Sequence, residues 1–378
     1  MNEFIQKINN SPKYDFKDVM MIPLEPSEIS SRKEVIIKDT YIFENTNELN
    51  NTNELNNTNE LNYTNELNYI VNCVPIVASN MDRIGTIKMY KALSKYNVIT
   101  CFTKQITLEE LSSIELNPDL YILSSGVSEK DIEELENKIQ YLNPPPKMVC
   151  FDVANGYMQN FINKIKLFRE RHPNLIIIAG NIVTSTILPH LKEAGVNIVK
   201  VGIGSGSVCT TRLKTGIGYP QLSAILDMKE TAKKLNIQIM SDGGIKHPGD
   251  AAKAFGAGAD FIMIGGMFAG HEECKTEEEC KTEKESNNTS NNTDSYIKFY
   301  GSSSNEALDK HYGGTKKYRT NEGKCVNIKC KGPISNTLED LLGGLRSSCA
   351  YLNCKHLKQM YKKSKFIVVR QQVNNMFN

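Results

Sequence analysis

Short runs of apolar, largely β-branched residues recur along the chain, separated by longer stretches in which apolar residues return every three or four positions. The runs are VPIVAS (74–79), NVITCF (97–102), LYILS (120–124), MVCFDV (148–153), LIIIAG (175–180), IVKVG (198–202), IQIMSD (237–242) and FIMIGG (261–266). Each has the length and composition of a strand buried on both faces. The stretches between them, such as MQNFINKIKLFRERH (158–172), carry the apolar stripe of an outer-ring helix. Alternation of this kind predicts βα units on a parallel sheet, and about eight of them is the number that closes a barrel. The expected fold class is α/β, a (β/α)₈ TIM barrel forming one catalytic domain over residues 1–378. A doubly wound sheet is the alternative, but its GxGxxG turn after the first strand is absent.

Two segments break the pattern. Over residues 45–68 the unit xTNELN recurs four times with almost no apolar content. Over 271–295 EECKTE appears twice and is followed by an Asn/Thr/Ser-rich tract. Neither composition can bury enough apolar surface to offset the entropy of ordering, so both are expected to be solvated loop insertions, with Cys274 and Cys280 as exposed bystanders.

Polar residues and glycines gather at the C-terminal ends of the predicted strands: Asn80 and Asp82, Lys104, Asp152 and Asn155, Asn181, Asp242, Gly265 and Gly266. In a barrel that is the catalytic face. The densest segment is VGIGSGSVCTTR (201–212). Its glycines permit positive φ and let backbone groups converge on an ion or phosphate. A cysteine taken alone is more often a small buried hydrophobe than a nucleophile. Here Gly204, Gly206, Thr210, Thr211 and Arg212 shift the reading of Cys209 to a nucleophile on a shaped loop.

Charge and cysteine usage narrow the class further. Lys plus Arg number 45 against 43 Asp plus Glu, with no one-sided block, so neither a nucleic-acid stripe nor a polybasic membrane patch is expected. MNEFIQKINNSPKYDF has no apolar core of signal-peptide length, and no later run approaches the roughly 20 residues of a spanning helix. A soluble, cytoplasmic protein with reduced thiols is expected; Cys73, Cys101 and Cys150 lie in apolar segments. There is no CxxC, and the neighbours His271/Cys274 and Cys354/His356 lack a second ligand pair, which disfavours zinc.

DFKDV (15–19), ASNMD (78–82), DVANG (152–156), AGNIVT (179–184), GIGSGSVCTTR (202–212), TGIGYPQ (215–221), SDGG (241–244), AFGAGAD (254–260) and GGMFAG (265–270) together resemble the IMP dehydrogenase/GMP reductase superfamily, whose nucleophile loop reads GxGSxCTTR. The resemblance covers nearly all of the chain outside the two insertions. The dehydrogenases usually carry a regulatory insertion after the second barrel strand, whereas here Phe102 runs straight on to Leu120. The segment Tyr318–Lys324 resembles the reductase flap, and DVANG and the ending 366–377 point the same way. The resemblance therefore implies NADPH-dependent, irreversible reductive deamination of GMP to IMP and ammonia in purine salvage, through a Cys209 thioimidate. The alternatives are a dehydrogenase without its insertion, converting IMP, NAD⁺ and water to XMP, and a purine-nucleotide-binding barrel without catalysis; the presence of Cys209, Thr211 and Glu322 counts against the latter.

The same resemblance implies the site roles. Cys209 is the nucleophile, and Thr211 with Glu322 protonates the leaving ammonia. Ser207, Gly243, Gly244, Gly265, Gly266 and Ser303 cradle the 5′-phosphate, Asp242 accepts the ribose hydroxyls, and Gly301, Ser302, Ser303, Arg319 and Gly323 read the base. Ser302 stands where the family usually has Met. Asp152, Val153, Ala154, Asn181 and Lys104 border the nicotinamide, with Tyr318 and Arg319 near by. Ser31, Arg32, Ser347, Ser348, Cys349 and Ala350 match positions that reach a cofactor bound in the adjacent subunit, which implies a homotetramer. Carbonyls of Gly204, Gly206 and Cys209 ring a potassium ion. No carboxylate cluster argues for a divalent metal.

Overall fold

The computed structural model describes residues 9–43, 69–276, 279, 295–314 and 320–370. The TNELN repeat, most of the second insertion, and Tyr318 and Arg319 lie outside them.

The chain begins with two short strands, β1 (Val19–Met21) and β2 (Asp39–Phe43). Eight parallel strands follow: β3 (Tyr69–Ala78), β4 (Val98–Phe102), β5 (Tyr121–Ser125), β6 (Met148–Asp152), β7 (Ile176–Ile182), β8 (Ile198–Val201), β9 (Gln238–Asp242) and β10 (Phe261–Ile264). Neighbours pair in sequence order, and β10 closes on β3 through Ile262 and Ile76, giving the (β/α)₈ barrel. All eight runs predicted from periodicity are barrel strands. Their side chains are almost wholly buried, as a parallel sheet covered by helices requires.

The helices obey their local signals. Thr86, Thr107, Ser128 and Ser304 each accept a backbone N–H at a helix start. In Glu129–Tyr141 the buried residues Ile132, Leu135 and Lys138 fall at three-residue spacing and define the inward stripe. The longest helix, Ile334–Tyr351, packs on Pro248–Ala257.

Three antiparallel additions were not foreseen. The strand β2 pairs with the start of β3, from Asp39↔Cys73 to Phe43↔Tyr69. After β10 come β11 (Tyr296–Tyr300), β12 (Cys325–Lys329) and β13 (Phe366–Val368). The pair β11/β12 forms a ladder from Tyr296↔Lys329 to Tyr300↔Cys325, and β1 pairs with β13.

The expectation that Cys274 is solvent-exposed is wrong. It lies in a 3₁₀ turn, Glu272–Cys274, only 3% exposed, with its thiol donating to the Phe268 carbonyl. His271 is fully buried beside it and its Nδ1 lies 3.0 Å from the Gly332 carbonyl. Packing against Phe268 and the Gly332 turn overrides the polar composition of these few residues. Nine cysteines among the described residues are free thiols, and five of them, including Cys73, Cys101 and Cys150, have no measurable exposure. Among the described residues no helix is long and apolar enough to cross a membrane.

Candidate active site

The C-terminal ends of the barrel strands surround a cleft of about 540 Å³, a size suited to a nucleotide-sized ligand. Lys104, Asp152 to Ala154, Asn181, Gly204 to Ser207, Cys209, Thr211, Asp242 to Gly244, Gly265, Gly266, Gly301 to Ser303 and Glu322 all line it. Residues scattered over more than two hundred positions thus converge because each ends a strand or sits on the loop after one.

The Cys209 loop and the Glu322 segment are clipped together by backbone. Cys209 bridges Gly323 in antiparallel fashion. Thr210 N–H donates to the Glu322 carbonyl at 2.8 Å, and Lys324 N–H to the Val208 carbonyl at 2.9 Å. Glu322 N–H in turn reaches the Ser303 carbonyl at 3.1 Å. These bonds put three side chains in line: the Cys209 thiol donates to Thr211 Oγ1 at 3.2 Å, and the Thr211 hydroxyl donates to Glu322 Oε2 at 2.7 Å. A partly exposed sulfur next to a hydroxyl held by a carboxylate is the arrangement a nucleophile with a proton relay needs.

Gly323 is fixed by crowding. A Cβ there would stand 2.9 Å from the Ser304 nitrogen and 3.2 Å from the Gly301 Cα. Gly243 and Gly244 take φ of +90° and +81°, in the left-handed region that disfavours side chains. The Ser207 hydroxyl occupies the space that a Cβ on Gly266 would need. Glycines after β9 and β10 therefore leave backbone exposed toward the cleft beside a hydroxyl, a surface on which an oxyanion can rest.

Deeper in the cleft lies a charge cluster that the sequence reading missed. Lys200 on β8, its side chain 4% exposed, reaches Asp152 Oδ1 at 2.8 Å and Asp242 Oδ2 at 2.9 Å. Asn80 donates to the other Asp152 oxygen at 2.8 Å, and Asn181 to Asp242 Oδ2 at 2.9 Å. Burial opposes the lysine charge, but the two carboxylates outweigh it and hold the ammonium protonated well above its ordinary range. Burial likewise pushes the Asp152 carboxyl up, and Lys200 with Asn80 more than reverses this, so it is ionised below the usual range. The signal was available: a lone lysine in the apolar strand IVKV is almost never buried without partners.

Asn181 is held by its main chain, donating N–H to the Val153 carbonyl at 2.9 Å while Val153 N–H donates to the Gly180 carbonyl at 2.9 Å. Its side-chain Oδ1 is buried without a hydrogen-bond partner among the described residues. Lys104 approaches Asp131 at 3.8 Å on the same side. Beneath the Cys209 loop, Asp15 of DFKDV receives Arg212 at 3.1 Å and the Gln221 N–H at 2.7 Å, joining three of the sequence motifs.

Two further predicted groups, Ser31 with Arg32 and Ser347 to Ala350, do not line the cleft. Ser31 caps the 3₁₀ turn Arg32–Glu34, and both Ser31 and Arg32 are exposed. Ser347 to Ala350 belong to the helix Ile334–Tyr351, where Cys349 is fully buried and only Ser347, Ser348 and Ala350 are partly exposed. The two elements are neighbours: the turn Arg32–Glu34 packs on the helix Ile334–Tyr351, and Ser27, just before the turn, donates its hydroxyl to the Ala350 carbonyl at 2.7 Å.

The sequence profile of the IMP dehydrogenase / GMP reductase domain matches residues 122–374. A GMP reductase of Caenorhabditis elegans is 42% identical over 376 residues, 98% of this chain and 96% of the worm protein. GMP reductases of Yersinia pestis (strain Pestoides F) and Yersinia pseudotuberculosis serotype O:1b (strain IP 31758) are each 40% identical over 98% of this chain and 99% of their own. With the barrel, the Cys209–Thr211–Glu322 line and this full-length similarity in hand, the chain belongs to the IMP dehydrogenase/GMP reductase family, as an oxidoreductase of its GMP reductase branch.

Proposed function

We propose that the chain converts GMP to IMP and ammonia at the expense of NADPH, with Cys209 as covalent catalyst. The observation that carries this reading is the unbroken line from the Cys209 sulfur through Thr211 to Glu322. Direct loss of an amino group from the purine ring is slow, and thiolate addition at C2 converts that carbon to a tetrahedral centre from which the amine can depart. The thiol proton passes along Thr211 toward Glu322, and the same relay returns a proton to the amino nitrogen as the C2–N bond breaks. Ammonia leaves and the purine stays bonded to sulfur as a thioimidate. When bound, NADPH supplies the hydride that replaces sulfur at C2, after which Cys209 is again a free thiolate and IMP departs.

Ligand roles follow from the cleft. Asp242 accepts the ribose hydroxyls; Ser207, Gly243, Gly244, Gly265, Gly266 and Ser303 hold the phosphate; Gly301 and Ser302 read the base, with Gly323, packed against Gly301 and bridged to Cys209, and with Arg319, assigned on the family resemblance. The Asn181 oxygen, without a partner among the described residues, suits the amide N–H₂ of a nicotinamide carboxamide, and Asp152, Val153, Ala154 and Lys104 line the same cleft; Tyr318 is assigned to the cofactor on the family resemblance alone. Ser31, Arg32 and Ser347 to Ala350, outside the cleft lining and on elements that pack together, suit a cofactor reaching over from a neighbouring subunit, and the family resemblance makes that assembly a homotetramer. The Arg32 charge favours the 2′-phosphate of NADPH over NADH. Carbonyls of Gly204, Gly206 and Cys209 hold potassium; Gly206 already accepts the Cys209 N–H at 3.1 Å and keeps a lone pair for the ion. The protein acts in the cytoplasm as one catalytic domain carrying two low-complexity insertions.

The assay is direct. NADPH absorbance is followed with GMP, and NADH appearance with IMP and NAD⁺. Rapid loss of NADPH with GMP is expected; faster turnover of the second pair would place the chain with the dehydrogenases.

A further inference from the structure

Lys200 bridges two groups that the proposed function assigns to different ligands, and this inference rests on that assignment. One ammonium serves Asp152 on β6 and Asp242 on β9, at 2.8 and 2.9 Å, so neither carboxylate is more than about 6 Å from the other. Asp152 spends its second oxygen on Asn80, and both side-chain bonds of Asp242 among the described residues fall on Oδ2, from Lys200 and Asn181. Neither carboxylate can turn without changing the partners of the same nitrogen. We propose that Lys200 is a positioning residue that couples the two halves of the cleft, setting the Asp242 rotamer for the ribose and the Asp152 rotamer beside the nicotinamide as one unit.

The other groups around the ammonium do not supply a substitute charge. The thiol of Cys150 and the Met263 sulfur, the latter 3.9 Å away, border it inside the barrel, and Asn80 and Asn181 are neutral. Lys104 acts on Asp152 from the β4 end, but engages Asp131. With Lys200 neutralised, the two carboxylates would face each other without their shared cation, and each negative charge disfavours the other. Proton uptake by the pair would then begin at a higher pH than in the wild type.

The test titrates GMP alone, without cofactor, into the wild type, Asp152→Asn, Lys200→Met and Lys200→Arg. Asp152 touches no part of GMP in this reading; among the described residues its side chain bonds Lys200 and Asn80, and Asn80 is assigned no part of GMP either, so Lys200 is the bonded route by which a change there reaches GMP. Asp152→Asn is expected to shift the GMP Kd at least threefold, Lys200→Met to weaken binding tenfold or more, and Lys200→Arg to stay within threefold of wild type. The ratio of the Lys200→Met Kd to the wild-type Kd is expected to change at least threefold between pH 5 and 8, whereas lost packing alone gives a constant ratio. Unchanged GMP affinity in Asp152→Asn overturns the coupling. Should Lys200→Met fail to fold, as judged by circular dichroism, the Asp152→Asn arm decides by itself. Absence of GMP binding in the folded wild type would instead sink the assignment of the cleft to GMP, and the coupling with it.

Discussion

The Thr211 hydroxyl donates to Glu322 at 2.7 Å across 111 residues of chain, while Thr211 Oγ1 lies 3.2 Å from the Cys209 sulfur. A hydroxyl in that position can pass a proton only because a carboxylate on one side can hold it, so the relay is one device with two members. Replacing Glu322 with Gln keeps the size and a hydrogen bond but removes the base. The deamination half-reaction is expected to slow by about 10²–10⁴, the range for a positioned acid–base group. Hydride exchange between IMP and NADP⁺ releases no ammonia and should fall much less. Equal loss in both would count against the relay.

The clip that builds this line makes a second prediction. Gly323 lies between the Gly301 Cα and the Ser304 nitrogen, with no room for a methyl group. Gly323→Ala must push the Glu322 segment away from the Cys209 loop, through backbone rather than a yielding side chain. Overpacking of this kind costs about 1–3 kcal/mol. We expect turnover to fall at least tenfold with only a few degrees lost in Tm. A variant with normal turnover would show that the flap can be displaced without harm.

Much of this was legible in the chain. Eight apolar runs located every barrel strand, since a buried parallel strand must be apolar throughout, and the glycine-rich loop marked Cys209. What escaped is physically of one kind. The strands β1, β2, β11, β12 and β13 are three to five residues long and partly exposed; β2 and β11 do alternate buried and exposed positions, but over too short a span to stand out before the partner strand is known. Lys200 was hidden by the strength of the pattern around it: IVKVG reads as a strand, and the one charged residue in it was passed over. Asp15 was seen as part of a motif, but its purpose appears only once Arg212 and Gln221 are brought to it.

A pH effect follows from Asp82, which ends the β3 motif ASNMD. Its Oδ2 receives the Tyr300 hydroxyl at 2.9 Å and Lys310 at 3.2 Å, and lies 2.7 Å from His311 Nε2, tying the helix Asn305–Tyr312 to the barrel. Burial pushes this carboxyl up, but His311, Lys310 and Tyr300 outweigh it and hold it below the ordinary range. A carboxyl lowered on folding contributes stability above its unfolded value, near pH 4, and loses it as pH falls through the folded value. The wild-type Tm should therefore drop more steeply than that of Asp82→Asn as pH is lowered from 5 to 3. Parallel slopes would mean that the carboxyl is not stabilised by these partners.

The last prediction concerns the TNELN repeat. Its structure lies outside the described residues, but the points where the chain leaves and rejoins the fold do not. Phe43 and Tyr69 are register partners on antiparallel strands, both part of or packed on the core. Residues 44–68 therefore connect two ends that a turn of a few residues would also join. Shortening the connection about twelvefold, from residues 44–68 to a two-residue loop, lowers the entropic cost of closure by about 2 kcal/mol. Replacing residues 44–68 with a short Asn-Gly turn should leave GMP turnover unchanged and hold or raise Tm. The turn chemistry favours this outcome, because a two-residue loop of that type matches the twist of an antiparallel pair. A fall of several degrees, or loss of activity, would show that the repeat contributes contacts to the barrel or to a neighbouring subunit.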